Sequence, residues 1–110
     1  MSDTPGEVEL TASFRTHLGP RFESAGVRIQ FHYNQVPGIH VKVRINEEYR
    51  ESLLQGLRDG VQLYFPNLLR SGSICILDVY EHEVDSSKRA FYKAGRLAIE
   101  QAYALKLLGA

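Results

Sequence analysis

From Glu7 the chain alternates: Val8, Leu10, Ala12 and Phe14 fall on one side, and Glu7, Glu9, Thr11, Ser13 and Arg15 on the other. Period two over that length predicts a strand with one face buried. Gly19-Pro20 predicts a break. A second strand follows, with Val27, Ile29, Phe31 and Tyr33 inward and Arg28, Gln30 and His32 outward. After a turn at Pro37-Gly38, a third strand places Ile39, Val41, Val43 and Ile45 inward and His40, Lys42 and Arg44 outward. Three alternating strands joined by short connections predict an antiparallel sheet with one polar face.

At Asn46 the period changes. Asn46 is a candidate N-cap, and Glu47 and Glu48 suit the positive end of a helix. Leu53, Leu54, Leu57, Val61, Tyr64 and Phe65 recur at three- and four-residue spacing until Pro66 stops the helix. Gly56 and Gly60 each cost about 1 kcal/mol relative to Ala inside it, a cost tolerated where the backbone packs close to a sheet. Ser71-Gly72-Ser73 reads as a turn. Ile74-Cys75-Ile76-Leu77 is apolar on both faces, as a strand in the middle of the sheet requires. A last helix spans about Ser87 to Leu108, with Phe91, Ala94, Leu97, Ala98, Ala102, Leu105 and Leu108 as its stripe. Its many small residues suit close packing on a sheet. The expected fold is α+β: a two-layer βββαβα sandwich, a four-stranded sheet with both helices on one face.

Met1 to Gly6 is polar and reads as a flexible lead-in to a single domain over residues 7–110. The chain is 110 residues long, and 44% of them are hydrophobic. That suffices for one core, which argues against intrinsic disorder. Thirteen basic residues balance thirteen acidic ones, so a strongly polybasic nucleic-acid or membrane binder is excluded while a local basic patch is not. The single cysteine, Cys75, excludes an internal disulfide. The apolar run Ile74 to Leu77 is far too short to span a bilayer, so no membrane partner and a cytoplasmic location are expected.

Candidate chemistry is sparse. There is no glycine-rich phosphate loop, so no nucleotide is expected to bind this chain alone. His17, His32, His40 and His82 are scattered without metal-ligand spacing. His32 and His40, both outward, read as solvated. Cys75, inside the most apolar segment, reads as core packing. His82, Asp85 and Ser86 contain the residue types of a hydrolase triad, but three residues on one short loop do not supply a separate nucleophile, base and orienting acid. The better reading is that Asp85, Ser86 or Ser87 caps the last helix. No cofactor, metal or catalytic residue is expected. Lys88, Arg89, Lys93 and Arg96 line one side of the last helix, and Arg28, Lys42 and Arg44 the outward side of the strands. Base-stacking aromatics are missing from this reading, because Phe31, Tyr33 and Phe91 fall in the apolar stripes.

The run His82-Glu83-Val84-Asp85-Ser86-Ser87-Lys88-Arg89-Ala90-Phe91-Tyr92-Lys93-Ala94-Gly95-Arg96-Leu97-Ala98 resembles the H-x-V-D-S-S-x-x-A-F-x-x-A stretch of domain IV of the elongation factor G family. Upstream, Asn46-Glu47-Glu48-Tyr49 with Leu54-Gln55-Gly56-Leu57 is similar to the family's P-x-E-Y…Q-K-G-I helix, and Val8-Glu9, Phe14, Arg15 and Gly19 to its first strand and loop. The likeness runs from about Glu7 to Leu105 and is most specific after Val79. It departs from the family at Asp78-Val79-Tyr80-Glu81, where the Y-D-G-x-Y before the histidine is missing, and at Thr16 to Arg21, which carries one glycine in place of a Gly- and Arg-rich loop. Nothing in the chain corresponds to a GTPase domain.

The resemblance implies a split βαβ fold with a left-handed crossover, as in several ribosomal proteins. It also implies a non-enzymatic, free-standing module of the translation-factor type that contacts the ribosome or RNA through loops at one end of the sheet. The contact residues so implied are His82, Glu83, Asp85, His17 and Arg21, with Lys88, Arg89 and Lys93 behind them. The alternative is a protein-interaction or oligomerisation module, a homodimer for instance, using an exposed apolar patch or a free sheet edge such as that of the first strand.

Overall fold

The alternation at the start of the chain forms two strands, β1 (Val8–Leu18) and β2 (Arg21–His32). They pair antiparallel without interruption from Val8↔Phe31 to Leu18↔Arg21. Both strands reach further toward this end than the alternation predicts, because Arg21–Gly26 carries few apolar residues to mark it as strand. The computed structural model describes residues 8–18, 21–33, 36–82 and 86–108. The lead-in Met1 to Gly6, Gly19-Pro20, Glu83 and Asp85 lie outside them, as does the side chain of Arg21. Ala12, Val27, Ile29 and Phe31 are buried as expected, and the longer β2 adds Ala25 to them. Tyr33, expected inward, follows the end of β2 and is 46% exposed.

The remaining elements are β3 (Gly38–Val41), α1 (Glu47–Tyr64), α2 (Leu68–Ser71), β4 (Ser73–Glu81) and α3 (Lys88–Ala104). The strand order is β1-β2-β4-β3, so the fold is α+β with a four-stranded mixed sheet. β4 is antiparallel to β2 but parallel to β3, which corrects the wholly antiparallel expectation. The physical reason lies in β4 itself. Ile74, Cys75 and Ile76 are all at most 1% exposed, and a strand buried on both faces takes the interior position between β2 and β3. The chain must then cross from β3 to its parallel neighbour through α1. Because β3 and β4 are adjacent, no strand intervenes between them, and the crossover unit is not the split one expected.

β3 ends at Val41 rather than at Ile45. Lys42 still donates to the Ile76 carbonyl at 3.0 Å, and the chain then climbs to α1. Ile45 remains buried in the core. On β4, Arg28 pairs with Asp78 but Ile29 with Ile76, so Leu77 is an extra residue. That bulge reverses the alternation and lets Val79 join the core as Ile74 and Ile76 do. α2 was not legible, since four residues are too few to show a period.

Gly56, Gly60 and Gly95 serve the contact between α1 and α3 rather than one with the sheet. A Cβ on Gly56 would lie 2.2 Å from the Tyr92 carbonyl oxygen, and one on Gly95 2.7 Å from that of Leu53. α3 closes earlier than its stripe implies. Lys106 N–H donates to the Tyr103 carbonyl and Leu107 N–H to that of Ala102, with Lys106 at φ 55°, the hydrogen-bond pattern of a Schellman cap. Leu105 is consequently 65% exposed. Of the described helices, none is long and apolar enough to cross a membrane.

Candidate functional site

The residues expected to make contacts gather at one end of the sheet. β2 and β4 pair from His32↔Ser73 up to Ala25↔Glu81. Beyond that point, Arg21–Ser24 of β2 pair only with β1, so the β1–β2 ribbon extends about 13 Å past β4 at about 3.3 Å per residue. His82, after β4, is tied through Ser86 to Ser24 of this ribbon, and both helices begin here.

Ser86 fixes the loop. Its hydroxyl accepts from His82 N–H at 2.8 Å and donates to the Ser24 carbonyl at 2.9 Å. Its own N–H donates to the His82 carbonyl at 3.0 Å. The hydroxyl is thus held between two backbone groups. Ser87 is the N-cap of α3, accepting from Ala90 N–H at 3.0 Å, so helix capping in this run falls to Ser87, and Asp85 lies outside the described residues. The Ser87 hydroxyl also donates to Glu23 of β2 at 3.4 Å, and Arg89 meets the other oxygen of that carboxylate at 3.5 Å.

α1 is joined to the same end. Asn46 caps it by accepting from Glu48 N–H at 3.0 Å, and its amide donates to Glu81 at 3.2 Å. Tyr49 stacks on Phe91 with ring centroids 4.9 Å apart and donates its hydroxyl to the Ser86 carbonyl at 3.3 Å. Partial burial, then the Glu48 and Glu81 carboxylates, raise the pKa of this phenol. The three elements around His82 are therefore held by side-chain bonds to backbone, while His82 itself is exposed.

Lys88 and Arg89 occupy the first turn of α3, which contains no acidic residue. Cations at a helix N-terminus oppose the dipole, typically by about 0.3–1 kcal/mol each. Glu23 offsets Arg89. Lys88 and Lys93 are exposed. Arg96 is separate: its guanidinium donates to the Tyr92 hydroxyl at 3.3 Å, and Tyr92 donates to Asp59 at 2.6 Å. Arg44 and Arg50 line an open depression at the start of α1 with Asn46 and Glu47. The cations do not form one face. Arg28 lies on the side of the sheet away from the helices, paired with Glu9 at 2.9 Å, opposite the layer that holds Lys88 and Lys93.

His17 stacks on Phe22, its partner across the ribbon, with ring centroids 4.0 Å apart. Phe22 is 49% exposed. By the pleat, both rings lie on the helix-free side with Arg28. Phe22 is the residue the sequence reading missed. The signal was the outward parity it shares with Arg28 and Gln30, hidden because the strand was begun at Val27. Tyr80, next to Gly26 on the same side, is 45% exposed. Exposed aromatics are thus present at this end, whereas Phe31 and Phe91 are buried as expected.

Of the two outward histidines, His32 is not solvated and His40 is half-exposed. His32 is 6% exposed, with its Nε2 2.8 Å from the Gln30 side-chain oxygen. His40 bonds the Val36 carbonyl. Among the described residues, no three His, Cys, Asp or Glu side chains form a metal-binding group.

No protein-family model matches this chain, and no curated protein does. Among solved structures, a crystal structure of a protein from Thermus thermophilus matches 91% of the chain with a TM-score of 0.77 and 19% sequence identity. The chain spans 16% of that protein's length. A likeness at this identity establishes the shared α+β fold.

Proposed function

We propose that the chain is a non-enzymatic module of the elongation factor G domain IV type, working in the cytoplasm, that contacts the ribosome or RNA through this end of the sheet. One observation carries the reading: Lys88 stands in the first turn of α3, where the helix end is already positive, next to Arg89, which Glu23 offsets, beside exposed His82 and near the start of α1 with its exposed Arg44 and Arg50. Positive charge placed where it destabilises a helix is a local rule broken, and such breaks concentrate at functional sites. A phosphate backbone would gain from these cations and from the free N–H groups of the helix start. The exposed His17–Phe22 pair supplies a flat surface against which an unpaired base can stack. The motif resemblance concerns the loop and helix that build this end.

Sedimentation of the purified chain with ribosomes at low and high salt tests the proposal. Co-sedimentation at low salt that fades as salt rises is the expected result, since counterion release makes phosphate contacts salt-dependent. Replacing Lys88 and Lys93 by Ala weakens it and flattens the salt dependence. Absence of co-sedimentation at low salt overturns the reading, as does unchanged binding after His82→Ala combined with Arg21→Ala.

A further inference from the structure

β1 is an edge strand of unusual quality. It pairs with β2 over eleven residues without a register shift, stands at the outer end of the strand order, and contains no Pro, Lys or bulge, three of the devices that blunt such edges; its charges, Glu9 and Arg15, are of opposite sign. The opposite edge, β3, has four residues and follows Pro37, so it offers little to pair with. β1 is also complementary to itself. Laid antiparallel against a second copy and centred on Ala12, Glu9 faces Arg15, Leu10 faces Phe14, Thr11 faces Ser13 and Val8 faces Thr16. Sliding the copy by two residues puts Glu9 opposite Ser13 or His17 and Leu10 opposite Ala12 or Thr16, losing both matches. An odd slide would turn the apolar side outward.

The two sides of the strand agree with this register. Leu10 and Phe14 are half-buried at the rim of the core, and Phe14 borders a cavity of about 300 Å³ lined also by Tyr92, Lys93, Arg96, Leu97 and Glu100 of α3, so its own chain does not cover the ring. Glu9 and Arg15 lie on the helix-free side and are both exposed. Arg28 already holds Glu9 at 2.9 Å, so Arg15 of a second copy would complete a three-membered charge cluster, once at each end of the two-fold interface.

We infer that the chain pairs with a second copy through β1, antiparallel about Ala12, to form a continuous eight-stranded sheet. This goes beyond the ribosome reading and does not rest on it. The ribbon ends and the His82 loops of the two copies point in opposite directions, so both remain open.

Sedimentation equilibrium over a concentration series reads the association. The wild-type chain is expected to dimerise, with little dependence on salt beyond the two charge clusters. Arg15→Glu sets a second carboxylate against Glu9 at both ends of the interface and weakens dimerisation by roughly tenfold to hundredfold, as cross-strand charge pairs of up to about 1 kcal/mol reverse sign. Glu9→Arg does the same. An equimolar mixture of the two variants recovers the dimer, because each repulsive pair becomes attractive across chains. As a readout independent of charge, Thr11→Cys protein mixed with Ser13→Cys protein oxidises to the mixed disulfide in preference to either chain with itself. A wild-type monomer at high micromolar concentration overturns the inference. So does a dimer that Arg15→Glu leaves intact, or folded single variants (by circular dichroism) whose mixture stays monomeric. Ribosome binding by a monomer would leave the proposed function standing and sink this one.

Discussion

Gly56→Ala sets two known effects against each other. In an isolated helix the change is favourable by about 1 kcal/mol, since Ala is the better helix former. Here the added Cβ would sit 2.2 Å from the Tyr92 carbonyl oxygen, 3.0 Å from its carbon and 3.2 Å from the Arg96 nitrogen. All three are backbone atoms of α3 and cannot turn aside, so reaching an ordinary 3.4 Å contact forces the helices apart by roughly 1 Å. A gap of that size forfeits a quarter to a half of the dispersion energy of each facing pair. The pairs affected include Leu53, Leu57, Phe91 and Ile99, all at most 1% exposed. Overpacking of this kind costs about 1–3 kcal/mol, and a backbone collision belongs at or beyond the upper end. After subtraction of the propensity gain, a net loss of about 2 kcal/mol is expected, which lowers Tm by about 8 °C in a domain of this size. Urea unfolding followed by circular dichroism measures it as a fall in midpoint at constant slope. Gly95→Ala, with its Cβ 2.7 Å from the Leu53 carbonyl oxygen, is expected to cost a similar amount. The double variant costs less than the two together, because helices already parted admit the second methyl. If Gly56→Ala stabilises the chain by the propensity increment, α1 and α3 do not approach this closely and the account of the small residues fails.

On the outer side of the same helix pair, Asp59 has its pKa lowered by the hydrogen bond from Tyr92, then by that from Gln55 and by Arg96. A depressed carboxylate contributes stability above its unfolded value near about 4, lost as pH falls through the folded one, so the gap in Tm between wild type and Asp59→Asn closes on acidification. If that gap is independent of pH, the carboxylate is not what the network uses. Ser87→Ala removes the cap on Ala90 N–H and is expected to cost about 1 kcal/mol, while Ser87→Thr, which keeps a hydroxyl for Ala90 and Glu23, costs less by the same urea titration. Lys106→Gly relieves a side chain held at φ 55° and is expected to raise stability by about 1 kcal/mol, with an unchanged or lowered midpoint counting against the cap described.

The parts of the fold visible in the sequence were those set by periodicity and punctuation. Alternation placed Ala12, Val27, Ile29 and Phe31 in the core, Asn46 and Ser87 marked the helix starts, and the two-sided apolarity of Ile74 to Ile76 placed β4 inside the sheet. That last observation already forbids β1, β2 and β3 from forming an uninterrupted meander, which would leave β4 at an edge, but the inference requires combining elements rather than reading each alone. Features that depend on long-range contact stayed hidden. The glycines of α1 answer to Tyr92 and Ile99, residues of the other helix far along the chain, and nothing local distinguishes helix–helix from helix–sheet packing. His32 reads as outward and is outward, yet it is buried, with its ring nitrogen against Gln30 two residues earlier on the strand. At the candidate site, His82 and the cations of α3 were legible as exposed loop and helix-start residues. Phe22 was not, since the strand that turns it outward has no apolar alternation at that end to announce it.

The residues that make the last strand, loop and helix resemble elongation factor G domain IV turn out to be mostly architectural. Ser86 joins the His82 backbone to β2, Ser87 caps α3, and Ala90, Phe91, Ala94 and Ala98 are at most 1% exposed. Any chain needing this loop beside this ribbon would be held to similar choices, so the motif speaks first for the shape of the end. Under the proposed reading, contact then has to come from exposed side chains at this end: His82, Lys88 and Lys93 on the helix layer, and His17 and Phe22 on the ribbon. The bonds from Ser86, Ser87, Asn46 and Tyr49 that join loop, ribbon and helices do not use the side chains of these five. Loss of binding without loss of stability is therefore the signature that separates a contact residue from a structural one at this end, and Ser86→Ala, which breaks the loop's attachment, is the control that should change both.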